Sequence, residues 1–278
     1  MFYDRRLLIA TKHGKEKVIA PLFEKSLGVA CFVSDKFDTD LLGTFSGEVS
    51  RKDDALTTLR NKCLLAAEKN QCDLVIASEG SFGAHPSVFF ASADDELMMF
   101  MDTKNNIEIV VRELSLETNF NASTITNEVD LLEFAHRAQF PTHSLILKQS
   151  ESNFNKIIKG INDLENLKKH FGAFKNQNGA AYVETDMRAH LNPTRMMVIE
   201  KAAAKLLLAV QSKCPQCETP GFTISKALEG LPCSWCNHPT SSTLSFLYTC
   251  KKCEFTKEVL YPHQKTAEDP TYCNLCNP

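Results

Sequence analysis

The sequence predicts an α/β fold, a mixed sheet with flanking helices, followed by a small C-terminal zinc-ribbon module. Three observations point there. Short apolar runs alternate with segments of helical period over residues 1–212, one long hairpin interrupts the alternation, and eight of the eleven cysteines fall between Cys214 and Cys276. With 278 residues and 43% hydrophobic content the chain can bury a substantial core. This excludes a disulfide-stapled miniprotein and a disordered chain. Two domains are expected, residues 1–212 and 213–278.

The elements follow in order. Arg6 to Thr11 (RLLIAT) is a short apolar strand, a helix is expected from about Lys15 to Ser26, and Val29 to Val33 is a second strand. Asp53 to Lys69 places Ala55, Leu56, Leu59, Cys63 and Ala66 on one face behind two aspartates, the pattern of a helix with an acidic first turn. Asp73 to Ser78 (DLVIAS) reads as a buried strand. Val88–Ser92, Glu96–Asp102 and Ile107–Glu117 read as strands, the last two joined by Thr-Lys-Asn-Asn as a hairpin loop. A helix at Glu128–Gln139, a strand at Leu145–Lys148, a helix at Asp163–Phe171, a strand at Ala180–Thr185 and a helix at Pro193–Gln211 complete the domain. Strands interleaved with helices, plus one hairpin, give a mixed sheet.

The tail carries Cys214-Pro-Gln-Cys217, Cys233-Ser-Trp-Cys236, Cys250-Lys-Lys-Cys253 and Cys273-Asn-Leu-Cys276, separated by 15, 13 and 19 residues. Each CxxC knuckle points two thiolates at one ion, and two knuckles close a tetrahedral site. The intervals of 15 and 19 suit consecutive pairing, so Cys214, Cys217, Cys233 and Cys236 are assigned to one structural zinc. Cys250, Cys253, Cys273 and Cys276 are assigned to a second. An interleaved pairing also satisfies the spacing, and a single rubredoxin-like iron stays open. Disulfides require an oxidising compartment, and a redox CxxC normally stands alone at a helix start. Six Lys and six Asp/Glu from Lys213 onward leave no cationic excess, so nucleic-acid binding is not favoured. Trp235, Phe222, Phe246 and Tyr248 could stack on bases, but in a small ribbon such residues more often form its minimal core. A protein partner bound through the module stays open.

The start, MFYDRRLLIATKHGKEK, has no apolar segment of signal-peptide length, and Met196–Val210 is broken by Glu200, Lys201 and Lys205. A soluble, cytoplasmic protein without membrane association is expected.

Three polar segments stand at predicted strand ends, where α/β proteins place ligands. Ala10-Thr11-Lys12-His13-Gly14-Lys15 brings backbone N–H groups and two lysines to a helix start, which suits phosphate. Ser78-Glu79-Gly80-Ser81-Phe82-Gly83-Ala84-His85-Pro86 leaves Glu79 at a strand tip, where a carboxylate can hold Mg²⁺. Glu184 to Arg195 (ETDMRAHLNPTR) concentrates Asp186, Arg188, His190 and Arg195 at a strand-to-helix junction.

Together, ATKHGKE, ASEGSFGAHP, ETDMRAHLNPTRM and the paired knuckles resemble an uncharacterised bacterial domain family. The chain is also distantly similar to the inosine/xanthosine triphosphatase branch of the Maf and Ham1-like nucleotide pyrophosphatases. That branch orders a strand ending in ATxNxxK, a helix with an NR pair, a strand ending in glutamate and glycine, and a late GAxxVxT…TR before a helix. Here Ala10–Lys17, Arg60-Asn61-Lys62, Ala77–Gly80, Gly179–Thr185 and Thr194-Arg195 stand in that order. His13 replaces the asparagine, and the lysine position falls on Glu16.

The resemblance implies a Mg²⁺-dependent nucleoside triphosphate pyrophosphatase or related phosphoanhydride hydrolase with structural zinc sites. Glu79 is expected to hold Mg²⁺, with Asp35 or Asp38 as second carboxylate. Thr11, Lys12, His13, Lys15, Lys62 and Arg195 are expected at the phosphates of a nucleotide or another phosphorylated small molecule. Arg188 joins Arg195 against developing charge, while His85, Asp186 and His190 are candidates for proton transfer or base recognition. The rival is a non-catalytic nucleotide-binding or zinc-ribbon interaction protein, suggested by the altered phosphate loop. A third reading makes Glu79, His85, Asp186 and His190 a transition-metal site.

Overall fold

The computed structural model describes residues 1–36 and 54–278. Asp38, one of the expected magnesium ligands, lies outside the described residues. The chain divides into two compact units, Met1–Leu207 and Leu208–Pro278, so the boundary falls inside the last long helix rather than after it.

The first unit opens with β1 (Arg6–Ala10), α1 (Glu16–Leu27) and β2 (Ala30–Phe32). Then come α2 (Ala55–Asn70), β3 (Leu74–Ala84), β4 (Ser92–Asp102) and β5 (Ile107–Ser115). These strands form one mixed sheet in the order β2-β1-β3-β4-β5, parallel among the first three and antiparallel beyond β3. Leu59, Cys63 and Ala66, spaced as one helical face, pack α2 onto Leu8, Val75, Ala77 and Met99 of the sheet. The opposite face buries Phe23 of α1 against Phe100, with ring centroids 6.4 Å apart.

Local chemistry sets the helix ends. Asp54 caps α2 by accepting from the N–H groups of Leu56 and Thr57, a contribution of about 1 kcal/mol. Gly28 ends α1 at φ 65°, a left-handed conformation that glycine adopts without steric cost, and returns its N–H to the Glu24 carbonyl.

A second sheet follows, which the sequence reading did not separate from the first. It contains β6 (Ala122–Ile125), β7 (Leu145–Ser150), β8 (Asn153–Ile161) and β9 (Ala181–Thr185), all antiparallel in the order β6-β9-β7-β8. Two helices, α3 (Glu128–Arg137) and α4 (Leu164–Asn178), contribute Leu131, Phe134, Phe171 and Phe174 to the core on one side of it. The last helix, α5 (Pro193–Gln211), starts in this unit.

Two strand expectations change. β3 does not end at Ser78 but continues to Ala84, paired residue by residue with β4, so the glycine-bearing segment is strand and not loop. Val88–Ser92 is the turn of that hairpin together with the first residue of β4, not a strand of its own.

The second unit is a three-stranded antiparallel meander of β10 (Thr223–Glu229), β11 (Thr243–Thr249) and β12 (Thr256–Leu260). Its apolar core is small, with Phe222 packed against Tyr248 and Phe255 at centroid distances of 5.7 and 5.9 Å. Trp235 is 79% exposed and does not join this core. Among the described residues no helix is long and apolar enough to cross a membrane.

Candidate functional site

The three polar segments do meet, through side chains rather than through loops. β1 ends at Ala10 opposite Ala77, so β3 runs on alone past its parallel neighbour from Ser78. Into that step the turn before α1 delivers Lys15, whose Nζ donates to Ser78 Oγ at 2.7 Å. From α2, Lys62 pairs with Glu79 and donates to the Ser78 carbonyl at 3.3 Å. At the start of α5, Arg195 donates from Nε to Glu96 Oε1 at 2.7 Å and from Nη1 to the Met187 carbonyl.

Register decides which groups share a face. Gly80 lies opposite Glu96 and Phe82 opposite Asp94, and opposite residues of an antiparallel pair point the same way. Asp94 and Glu96 therefore stand together on one face with Gly80, while Glu79, opposite Leu97, points to the other face toward α2. Gly80 is needed for clearance: a Cβ there would run into the Arg195 guanidinium and stand 2.6 Å from Glu96 Oε1. The Arg195 guanidinium also lies 4.9 Å above the Phe82 ring.

Asp94 and Glu96 are fully buried. Neither oxygen of Asp94, nor Glu96 Oε2, has a hydrogen-bond partner among the described residues. Burial, reinforced by the neighbouring Glu96, pushes the Asp94 carboxyl up to about 8. Burial also lowers the Lys15 ammonium to about 8, against the pull of Glu96 and with the help of Arg195 and Lys62. Three cations and three carboxylates are thus buried around β3 and β4, Lys62 with Glu79 on one face and Lys15 and Arg195 with Asp94 and Glu96 on the other, and two pairs are matched directly.

The other expected residues fall around or away from this cluster. Thr11 Oγ1 accepts from the His13 N–H at 3.1 Å and shapes the turn. The His13 ring stacks on His190 at 5.3 Å, tying the first segment to the third. Burial and then His13 lower the His190 imidazole below its usual range. Lys12 is exposed beside them.

Asp186 is fully buried, but its carboxylate accepts from the Gly160 N–H and from the backbone and guanidinium of Arg188. It acts as a clamp on the loop, which leaves the proton-transfer expectation without its acceptor. His85 caps the hairpin turn, its Nδ1 accepting from Ser87 and Val88, and stands six residues beyond Glu79, about 20 Å along an extended strand. Asp35 is exposed and lines a surface hollow with Arg6, Phe32 and Asn70, away from Glu79. Among the described residues, groups of three or more ligating side chains are confined to the tail cysteines, so Glu79, His85, Asp186 and His190 do not make a transition-metal site.

Ser78, Asp94 and Glu96 were not among the expected site residues. Extending the Glu96–Asp102 strand back at period two would have placed both acids on the face of Met98 and Phe100. The apolar Leu97, Met99 and Met101 on the other face hid that signal.

The tail cysteines form two groups, Cys214, Cys217, Cys250 and Cys253, and Cys233, Cys236, Cys273 and Cys276. This overturns the consecutive pairing. In a meander, the start of β10, the end of β11 and the start of β12 share one end, as the register Thr223↔Thr249↔Thr256 records. The first and third knuckles therefore meet there, and the second and fourth at the opposite end. Cross-knuckle Sγ···Sγ distances are 3.7 and 3.6 Å in the first group and 3.9 and 3.7 Å in the second. The edge of a tetrahedron with metal–sulfur bonds of about 2.3 Å is about 3.8 Å, whereas a disulfide needs about 2.05 Å. The geometry is that of two metal-binding tetrathiolate sites.

No curated protein matches the chain. A family described as a domain of unknown function (DUF6671) matches residues 62–278, which takes in α2 from Lys62 on, both sheets from β3 onward and the whole cysteine meander, and the chain belongs to that family.

Proposed function

We propose that the first unit is a magnesium-dependent hydrolase of a nucleotide phosphoanhydride bond, and that the second holds two structural zinc ions. The observation that carries the first part is the meeting of Lys15, Lys62 and Arg195 with Glu79, Asp94 and Glu96 at one step in a parallel sheet edge. The motif order shared with the inosine/xanthosine triphosphatase branch supports it. Magnesium prefers a few carboxylate oxygens completed by water and phosphate, and the buried, unpartnered oxygens of Asp94 and Glu96 fit that chemistry. A bound ion would supply charge neutralisation at the phosphates and a more acidic water.

The chain's own residues then have distinct tasks. Lys15 and Lys62 offset phosphate charge from the two faces of β3, and Arg195 offers a planar donor to the charge that builds on the leaving group. The Thr11 turn presents backbone N–H groups beside Lys12 and His13. In the reaction the water oxygen bonds to phosphorus, the bridging P–O bond breaks, and its electron pair leaves with pyrophosphate. A water proton passes to a carboxylate on the face of the sheet that carries Asp94 and Glu96.

The test is a panel of ordinary and deaminated nucleoside triphosphates with Mg²⁺, read as pyrophosphate release by folded protein. No release from any member overturns the hydrolase reading. One observation favours the non-catalytic alternative: Lys62 and Arg195 already face carboxylates, so part of the positive charge is spent inside the protein. A nucleotide that raises the melting temperature and is recovered unchanged would select it.

For the tail, four thiolates complete each shell, which is the pattern of folding sites rather than catalytic ones. Thiols at metal spacing support the reading of a reducing compartment such as the cytoplasm. Elemental analysis should return two zinc ions per chain; iron in their place would overturn the zinc assignment.

A further inference from the structure

Buried carboxylates are normally hydrogen-bonded or ion-paired, because an isolated one costs several kcal/mol in effective desolvation. Asp102, on the same strand and face, shows the ordinary solution, with Arg5 donating to both oxygens at 2.7 and 2.8 Å and Asn105 adding two more bonds from its backbone N–H and Nδ2. Asp94 departs from it at both oxygens, and Glu96 at the oxygen that Arg195 leaves over. Lys15 does not repair this, since it directs its ammonium to Ser78.

We infer that Asp94 and Glu96, and not Glu79, form a divalent-cation site of magnesium type. They sit at alternate positions of β4, about 7 Å apart along the strand and on one face, close enough for both carboxylates to meet one ion. Glu79 points from the other face of the sheet and is engaged by Lys62. Two carboxylates leave most of an octahedral shell to water and to oxygens of a bound phosphate. Lys15, held on Ser78, and Arg195, held on Glu96, bring positive charge to the same face and favour an anionic co-ligand. The inference refines the ligands of the proposed hydrolase site and rests on that reading only for its purpose, not for its geometry.

The test uses the full zinc-loaded chain and Mn²⁺ as the probe, counted by electron paramagnetic resonance without nucleotide. One Mn²⁺ per chain, displaced by Mg²⁺, is expected. Loss of a ligand's mere outer-shell support commonly costs about 10- to 100-fold in metal affinity, so Asp94→Asn and Glu96→Gln should each weaken Mn²⁺ by at least about tenfold. Glu79→Gln and Asp35→Asn should leave it within about twofold on the same scale. Asp94→Asn keeps the shape of the side chain, so its melting curve certifies the fold; Glu96→Gln serves as the second variant. Absence of Mn²⁺ from the wild type, or its loss in Glu79→Gln with retention in Asp94→Asn, overturns the site. Mn²⁺ bound as expected with no hydrolysis of any nucleotide removes the hydrolase reading and leaves the site standing.

Discussion

Exchanging whole knuckles for serines separates the two ways of pairing them. β10 and β11 are each seven residues long, so either strand carries the chain about 24 Å between the ends of the meander. Thiolates sharing one ion must come within about 3.8 Å of each other. A knuckle at one end therefore cannot serve the ion at the other. Replacing Cys214, Cys217, Cys250 and Cys253 removes one site entirely and should lower the metal content from two ions per chain to one. Replacing Cys214, Cys217, Cys233 and Cys236 strips two thiolates from each site and should lower it to none. The assay is metal content per folded chain after gel filtration, by elemental analysis beside intact-mass measurement under native conditions. Consecutive pairing predicts the reverse pattern. One ion retained by the second variant and none by the first would refute the interleaved arrangement.

Three further substitutions test the first unit. Gly80→Ala places a methyl group against the Arg195–Glu96 pair, and overpacking of this kind should cost about 1–3 kcal/mol, read from the midpoint of urea denaturation; an unchanged midpoint would show that the pair yields freely. Arg5→Ala leaves Asp102 buried without its cation, and should cost about 3–5 kcal/mol in the same assay. His143 is buried, and its Nε2 accepts from the Thr194 N–H at the start of α5 while burial holds its pKa below the usual value. Because the unfolded chain then takes up a proton more readily, stability is complete above about pH 6.5 and falls as pH drops toward the folded-state pKa. His143→Gln should flatten that slope in urea titrations between about pH 5 and 7, and an unaltered slope would remove His143 from the account.

Most of the elements were legible because burial writes a period into the sequence. RLLIA and DLVIAS are apolar without interruption since β1 and β3 are covered on both faces, by α1 and by α2. The strands that escaped notice lack that imprint. β6 has two polar residues in four and β8 reads NFNKIIKGI; both are edge strands, with one neighbouring strand each among the described residues. Gly80 and Gly83 misled for a different reason. Glycine signals a turn when it supplies a positive φ, but at Gly80 it supplies the absence of a side chain, and composition does not distinguish the two. The candidate site was legible at Lys15, Lys62 and Arg195, which flank strand and helix ends. It was illegible at Asp94, where the informative property is the lack of a partner, and that exists only in three dimensions.

The donor atoms divide the labour between the units. Four soft thiolates at each end of the meander satisfy the coordination of a tetrahedral ion, so no position remains for water or substrate, and the ion's binding energy goes into holding a core of three aromatic rings. The three cysteines outside the tail do not supply a nucleophile instead. Burial pushes the Cys31 and Cys63 thiols up to about 12 and raises Cys72 as well, so at neutral pH the reactive thiolate is a negligible fraction. Hard oxygen donors on β4 are the opposite case. In the proposed site Asp94 and Glu96 are too few to fill an octahedral shell, and a shell left open beside Lys15 and Arg195 would be completed by an anionic oxygen. On this reasoning a zinc chelator that unfolds the second unit and a substitution at Asp94 abolish different properties: the first removes strand content from residues 223–260, the second removes Mn²⁺ binding and leaves those strands intact.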